Sequence, residues 1–421
     1  MSKFIVRGGK KLVGRVKISG SKNAALPIIC AALLTDQPVI LKNVPDIADI
    51  HSMTKIIEHF GVKTEFTNGT LIIDAKKLVK KPAPEDLVKK MRASILILGA
   101  LLPRIGEVKM AFPGGCVLGK RSVSTHTSAL EQLGCQTIDH ESGLHIKVKS
   151  LIGSKIILSE MSVTATENAI MAAVLAKGDT EIHLAACEPH VEDLCHFLKK
   201  MGAKISGVGT TTLKISGVSK LKGCTYSITG DYLEAGTFAI AAVATKGHIT
   251  LEGLNPDHLN SVWQKLQEVG SEIIIKPNEV EVIAPKGKLK AITMLRTSVH
   301  PGFPTDLQAP FTVLLTQSNG VSKVFETLFE GRLNYLFELE LMGAHVEFLN
   351  PHQAIIIGPH KLKAMPISSF DIRAGAAMVI AALIAPGETV ISNINYIDRG
   401  YQHLEQKLRS LGADIERSTE D

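Results

Sequence analysis

The sequence predicts an α/β protein of two domains, each assembled from three copies of one helix–strand unit, with sheets outside and apolar helices inside. Three observations carry this. A chain of 421 residues exceeds what one hydrophobic core organises. A helix ending of the form φ-x-x-φ-Gly followed by a strand recurs six times. Between these endings runs a second helix type, apolar on every side.

The recurrent endings are IIEHFGVKTEF, LEQLGCQTI, LKKMGAKIS, LQEVGSEIII, LELMGAHVEF and LRSLGADIE, with glycines at 61, 134, 202, 270, 343 and 412. Each glycine follows the last by 68 to 73 positions. It stands where a helix ends in a left-handed residue, a conformation glycine adopts without steric penalty. The apolar elements are NAALPIICAALL, RASILILGALL, ENAIMAAVLAKGDTEIHL, AGTFAIAAVATKGHITLEG, QAPFTVLLTQSNGVSKV and AGAAMVIAALIAPGETVI. A helix without a polar face is buried all round, so these six form the interior. Six units in this length give three per domain.

Composition describes an ordinary globular protein, with 45% hydrophobic and 21% charged residues. The net charge of +6 is spread along the chain, without the Lys/Arg run and interleaved aromatics of single-strand binders, so no nucleic-acid partner is expected. The longest apolar run, AGAAMVIAALIA, is too short for a bilayer, and the six cysteines form no CxxC pair. A reducing, cytoplasmic setting without a membrane partner follows as the expectation. Cys187, His190, Cys195 and His196 fit no common zinc spacing, and neither metal nor cofactor is expected. GVGTTT, residues 207–212, reads as a turn.

Polar chemistry gathers just before the apolar helices: Lys22 and Asn23, Arg92, Ser162 to Thr164, Asp306, and Asp371 with Arg373. Helix N-termini attract anions, so a cleft between the two domains is the expected ligand site. The loop FPGGCVLGKR adds a cysteine, Cys116, with Lys120 and Arg121 close behind it. Cations beside an exposed thiol lower its pKa and make it reactive.

Six motifs, GSKNAALP, PGGCVLGKR, HPGFPTDLQA, FEGR, DIRAGAA and IDRGY, occur in an order that resembles the UDP-N-acetylglucosamine 1-carboxyvinyltransferase family from end to end. The resemblance implies a two-domain inside-out α/β barrel, with 1–21 and 230–421 forming a discontinuous domain and 22–229 inserted. It implies transfer of the enolpyruvyl group of phosphoenolpyruvate to the 3-hydroxyl of the sugar nucleotide, with release of phosphate, at the first committed step of peptidoglycan synthesis.

By the same resemblance, Cys116 protonates phosphoenolpyruvate or forms an adduct with it, and is the residue alkylated by fosfomycin. Asp306 is the general base, or a simple N-cap, or both. Asn23 holds the sugar. Lys22, Arg121 and Arg399 match the phosphate-binding cations, with Lys22 and Arg399 counted among the catalytic residues. Arg332 and Arg373 match those near the carboxylate, and Arg92 is a further cleft arginine. Ser162, Val163, Thr164 and Leu328 complete the substrate-binding set, and Asp371 either orients Arg373 or moves a proton.

Four places depart from the family pattern. Ser122 to Thr125 stand where Pro-Val/Ile-Asp-Leu is usual, and Thr164 replaces a glycine, both in the region that lines the uridine pocket. Gly331 replaces an asparagine, and Tyr232 an arginine. These keep open a paralogue with another acceptor or a non-catalytic ligand-binding role. The loop cysteine argues against 5-enolpyruvylshikimate-3-phosphate synthase, which lacks it.

Overall fold

The computed structural model describes residues 2–114, 122–140 and 143–419. The chain divides into two compact units. One comprises the residues up to Ser19 and those from Gly230 onward, the other those between Gly20 and Thr229. Each has a hydrophobic core of its own. Among the described residues no helix is long and apolar enough to cross a membrane.

The inner helices are α1 (Lys22–Ala31), α2 (Ile97–Ile105) and α3 (Val163–Ala173) in the inserted unit. In the discontinuous unit they are α4 (Tyr232–Ala244), α5 (Gln308–Leu315) and α6 (Ile372–Ile384). Every residue of α4 and α5 is buried, as an apolar surface without a polar face requires. Helix α5 packs against both α4 and α6. The six repeat-ending glycines all have positive φ, from 89° at Gly61 to 106° at Gly270, so the left-handed C-cap is used every time.

Five of the six sheets share one pattern, a parallel edge strand followed by two antiparallel neighbours. In one of them Val13–Lys17 runs parallel to His248–Glu252, which pairs antiparallel with Glu279–Ile283, and that strand with Glu272–Lys276. In another, the N-terminal strand Ser2–Gly8 lies between Gly387–Ser392 and Asp414–Thr419, so the start of the chain completes the last repeat. Thr225–Ser227 closes the inserted unit as a parallel edge strand on Val39–Lys42. The sixth sheet has three strands, Glu107–Ala111, Gly143–Lys147 and Gln136–His140.

Helices α2 and α3 approach so closely that Gly99 has no room for a side chain. A Cβ there would stand 2.5 Å from the Asn168 carbonyl oxygen and 2.7 Å from its Cα. Because the clash is with backbone, Gly99→Ala is expected to destabilise the inserted unit by about 1–3 kcal/mol, read as a lower urea midpoint at unchanged slope.

Candidate active site

In the discontinuous unit, Asp306 lies on a short 3-10 turn, Thr305–Leu307, leading into α5. Its N-cap is Pro304, and Asp306 makes no capping bond, which corrects the N-cap reading. The α-helix begins at Gln308, one residue later than a cap at Asp306 implies, so the carboxylate is left for tertiary partners. It accepts from Arg332 Nη2 and, at 3.1 Å, from Arg373 Nε. Arg332 sits on the turn Glu330–Leu333, and Arg373 is the second residue of α6.

Both guanidiniums are only 5% exposed, against 27% for the Asp306 side chain. Arg332 stacks 5.4 Å above the Phe329 ring and Arg373 5.2 Å above Tyr401. Burial alone would lower the pKa of Arg373, but Tyr401, Asp306 and Asp231 raise it, so it stays charged. Two guanidiniums share the Asp306 carboxylate. Among the described residues, Arg332 Nε and Arg373 Nη1 are buried without a hydrogen-bond partner. Buried donors of this kind are costly unless something accepts from them, and an anion with two oxygens would do so.

Asp371 caps α6, its Oδ1 accepting from the backbone N–H of Arg373 at 2.7 Å and of Ala374 at 2.9 Å. It therefore holds the backbone of Arg373 and makes no bond to its guanidinium. A cavity of about 430 Å³ opens beside this group, lined by Gly331, Arg332, Asn334, Phe337, Phe370 and Asp371. Leu328, 38% exposed, donates its backbone N–H to Glu326 Oε1 at 2.9 Å. Arg399 ends the turn Ile394–Arg399 and is half-buried.

In the inserted unit, Lys22 opens α1, and Asn23, the next residue, is half-buried. Lys22 Nζ meets Asp49 Oδ2 at 2.8 Å, and both residues are buried. Asp49 carried no signal in the sequence, sitting in PDIADI on the first turn of an amphipathic helix. Arg92 opens the turn Arg92–Leu96 and donates through Nη2 to the Ser122 carbonyl at 2.8 Å, which fixes the start of the helix Ser124–Gln132. Ser162 is the N-cap of α3, with Val163 and Thr164 in its first turn, and its side chain makes no capping bond. Thr125 Oγ1 meets Ser159 Oγ at 2.9 Å and donates to Glu160 Oε1 at 3.3 Å. Thr164 Oγ1 lies 3.2 Å from His126 Nε2. Cys116 and Arg121 lie outside the described residues.

Burial, aided by the charge of Arg92, pushes the His126 pKa down to about 3 from 6.5. Between these values the unfolded chain binds a proton that the folded one refuses. Stability is therefore complete above pH 6.5 and is lost as pH falls towards 3, by up to about 1.4 kcal/mol per pH unit. Urea titrations at pH 7, 5 and 4 are expected to show this loss, and His126→Gln should flatten it.

Comparison with known proteins supplies the class. The whole chain superposes on an enolpyruvyl transferase, NikO of Streptomyces tendae, with a TM-score of 0.90 at 23% identity, covering 99% of that protein. EPSP synthase of Acinetobacter baumannii follows at 0.75 and 19%, each chain fully covered. The fold is thus that of the enolpyruvyl transferases.

The chain belongs to the EPSP synthase (3-phosphoshikimate 1-carboxyvinyltransferase) family, whose profile matches residues 6–408, and within it stands among the UDP-N-acetylglucosamine 1-carboxyvinyltransferases. It is 43% identical to that protein from Methylacidiphilum infernorum over 427 residues, covering 99% of both chains. It is 44% identical to the one from Acinetobacter guillouiae over 422 residues, both chains covered in full. It is accordingly a transferase.

Proposed function

We propose that the protein transfers the enolpyruvyl group of phosphoenolpyruvate to the 3-hydroxyl of UDP-N-acetylglucosamine, releasing phosphate and committing the sugar to peptidoglycan synthesis in the cytoplasm. The observation that carries this reading is the Asp306 carboxylate held between two buried guanidiniums that each keep a spare N–H. The carboxylate of phosphoenolpyruvate is an oxyanion of the right shape for those donors. Lys22, Arg121 and Arg399 serve the phosphate.

In the addition step, the sugar oxygen bonds to C2 of phosphoenolpyruvate while its proton passes to Asp306. A second proton, from the Cys116 thiol, arrives at C3 and makes it a methyl group. In the elimination step, the C2–O bond to phosphate breaks, the methyl group returns one proton to the Cys116 thiolate to restore the double bond, and the proton held by Asp306 leaves with the phosphate. Each transfer is general acid–base chemistry at a positioned side chain. Cys116 is then also the point of attack for fosfomycin.

Phosphate release from phosphoenolpyruvate tests the reading, with UDP-N-acetylglucosamine, shikimate 3-phosphate or no acceptor. Release only with the sugar nucleotide is expected. Release only with shikimate 3-phosphate, or with neither acceptor, would overturn it.

A further inference from the structure

Glu326 is a fully buried side chain that the reaction described above does not use. It follows the strand Gly320–Phe325, and each of its carboxylate oxygens accepts one hydrogen bond. Oε2 accepts from the Thr305 hydroxyl at 2.8 Å, and Oε1 from the backbone N–H of Leu328 at 2.9 Å. Its backbone is held on both sides by His352, in the loop of the next hairpin. The Glu326 N–H donates to the His352 carbonyl at 2.8 Å, and its own carbonyl accepts from His352 Nδ1 at 2.8 Å. A carboxylate buried on two neutral donors is costly. The two segments that it joins supply the reason.

Thr305 is the residue before Asp306 and the first of the 3-10 turn Thr305–Leu307. A threonine at such a start commonly bonds its own neighbouring backbone. Here the hydroxyl reaches across 21 positions to Glu326. The chain closes tightly behind it, Leu307 N donating to the Pro304 carbonyl at 3.0 Å. Asp306 is thereby left to meet Arg332 and Arg373. At the other oxygen, the bond from Leu328 N–H bends the chain out of the strand, towards the turn Glu330–Leu333 that carries Arg332. One side chain therefore anchors the approaches to both members of the Asp306–Arg332 pair.

We infer that Glu326 is a positioning residue for the transfer reaction, its two oxygens holding the turn that carries Asp306 in register with the chain that leads to Arg332. The inference rests on the base proposed above and gives that base its placement. It also explains why the chain tightens at Thr305 instead of opening a capped α-helix.

The test uses Thr305→Val, which keeps the shape and loses the hydroxyl, Thr305→Ser, which restores it, and Glu326→Ala, which removes both acceptors. Phosphate release at saturating substrates should give a kcat about tenfold lower for Thr305→Val, the scale on which a slightly displaced catalytic group loses rate. Thr305→Ser should recover most of it, and KM for both substrates should stay near wild type. The acid limb of the kcat–pH profile should move to higher pH in Thr305→Val, because a carboxylate held less closely to two guanidiniums takes up a proton more readily. A merely structural loss would lower kcat equally at every pH. Because both residues act through one bond, adding Thr305→Val to Glu326→Ala should cost nothing further.

Wild-type kcat with an unmoved acid limb in Thr305→Val would overturn the inference, as would additive losses in the double variant. The threonine pair decides the matter even where Glu326→Ala fails to fold. An Asp306→Asn protein with wild-type kcat would instead overturn the proposed base, and the role of Glu326 with it.

Discussion

Asp306→Asn is expected to lower kcat for phosphate release about a thousandfold, because the amide cannot take the hydroxyl proton. The substitution keeps the shape of the side chain and one acceptor oxygen, so one of Arg332 and Arg373 keeps its partner while the other meets the amide N–H2. Asp306→Ala removes both. Two guanidiniums that are 5% exposed would then lose the carboxylate that lies between them. A buried charge left unpaired costs about 3–5 kcal/mol, and the partial exposure of Asp306 places the expected loss near about 3 kcal/mol. The two variants separate chemistry from structure. Asparagine should be folded and nearly inactive, whereas alanine should be inactive and measurably less stable. An asparagine variant with wild-type kcat would remove Asp306 from the role of base and leave it as a clamp for the two arginines.

That clamp was the part of the site least readable along the chain. Arg332 and Arg373 stand 26 and 67 positions from Asp306, and no periodicity links them. What was readable is local. The six glycines could be read as left-handed helix ends because that conformation has one favoured residue, and a helix without polar residues can only be interior. Asp306 marks the limit of such reasoning. PTDLQA looks like a capped helix start, yet the chain tightens into a 3-10 turn first and the aspartate turns to tertiary partners. The pairing of Lys22 with Asp49 was equally hidden, since an aspartate on the first turn of an amphipathic helix has a sufficient local reason to be there. Ser122 to Thr125 stood out as a departure from a family pattern. Only the contacts reveal that Thr125 is tied to Glu160, and His126 to Thr164 and Asn168.

Fosfomycin is expected to modify this protein once, at Cys116, and the argument comes from the other five thiols. Alkylation requires a thiolate, so reactivity follows pKa and access. Cys30 is fully buried against Met53, and burial raises its pKa far beyond the ordinary thiol value. Cys135 and Cys195 are buried too, and burial pushes both up to about 12. Cys187 and Cys224 are only half-buried, and burial again raises both, reinforced at Cys187 by Glu188 and Glu192. None of the five carries an appreciable thiolate fraction at neutral pH. Cys116 stands in the glycine-containing loop PGGCVLGKR, with Lys120 and Arg121 close behind it. Mass spectrometry after treatment should find one adduct, on the peptide holding Cys116, in step with loss of phosphate release. Cys116→Ala should take up no label and turn over no substrate. Cys116→Asp should also resist labelling and yet retain turnover, because a carboxylic acid can deliver the proton to C3 in place of the thiol. Label appearing on Cys187 or Cys224, the two accessible alternatives, would break the link between thiolate character and position on which the role of Cys116 depends.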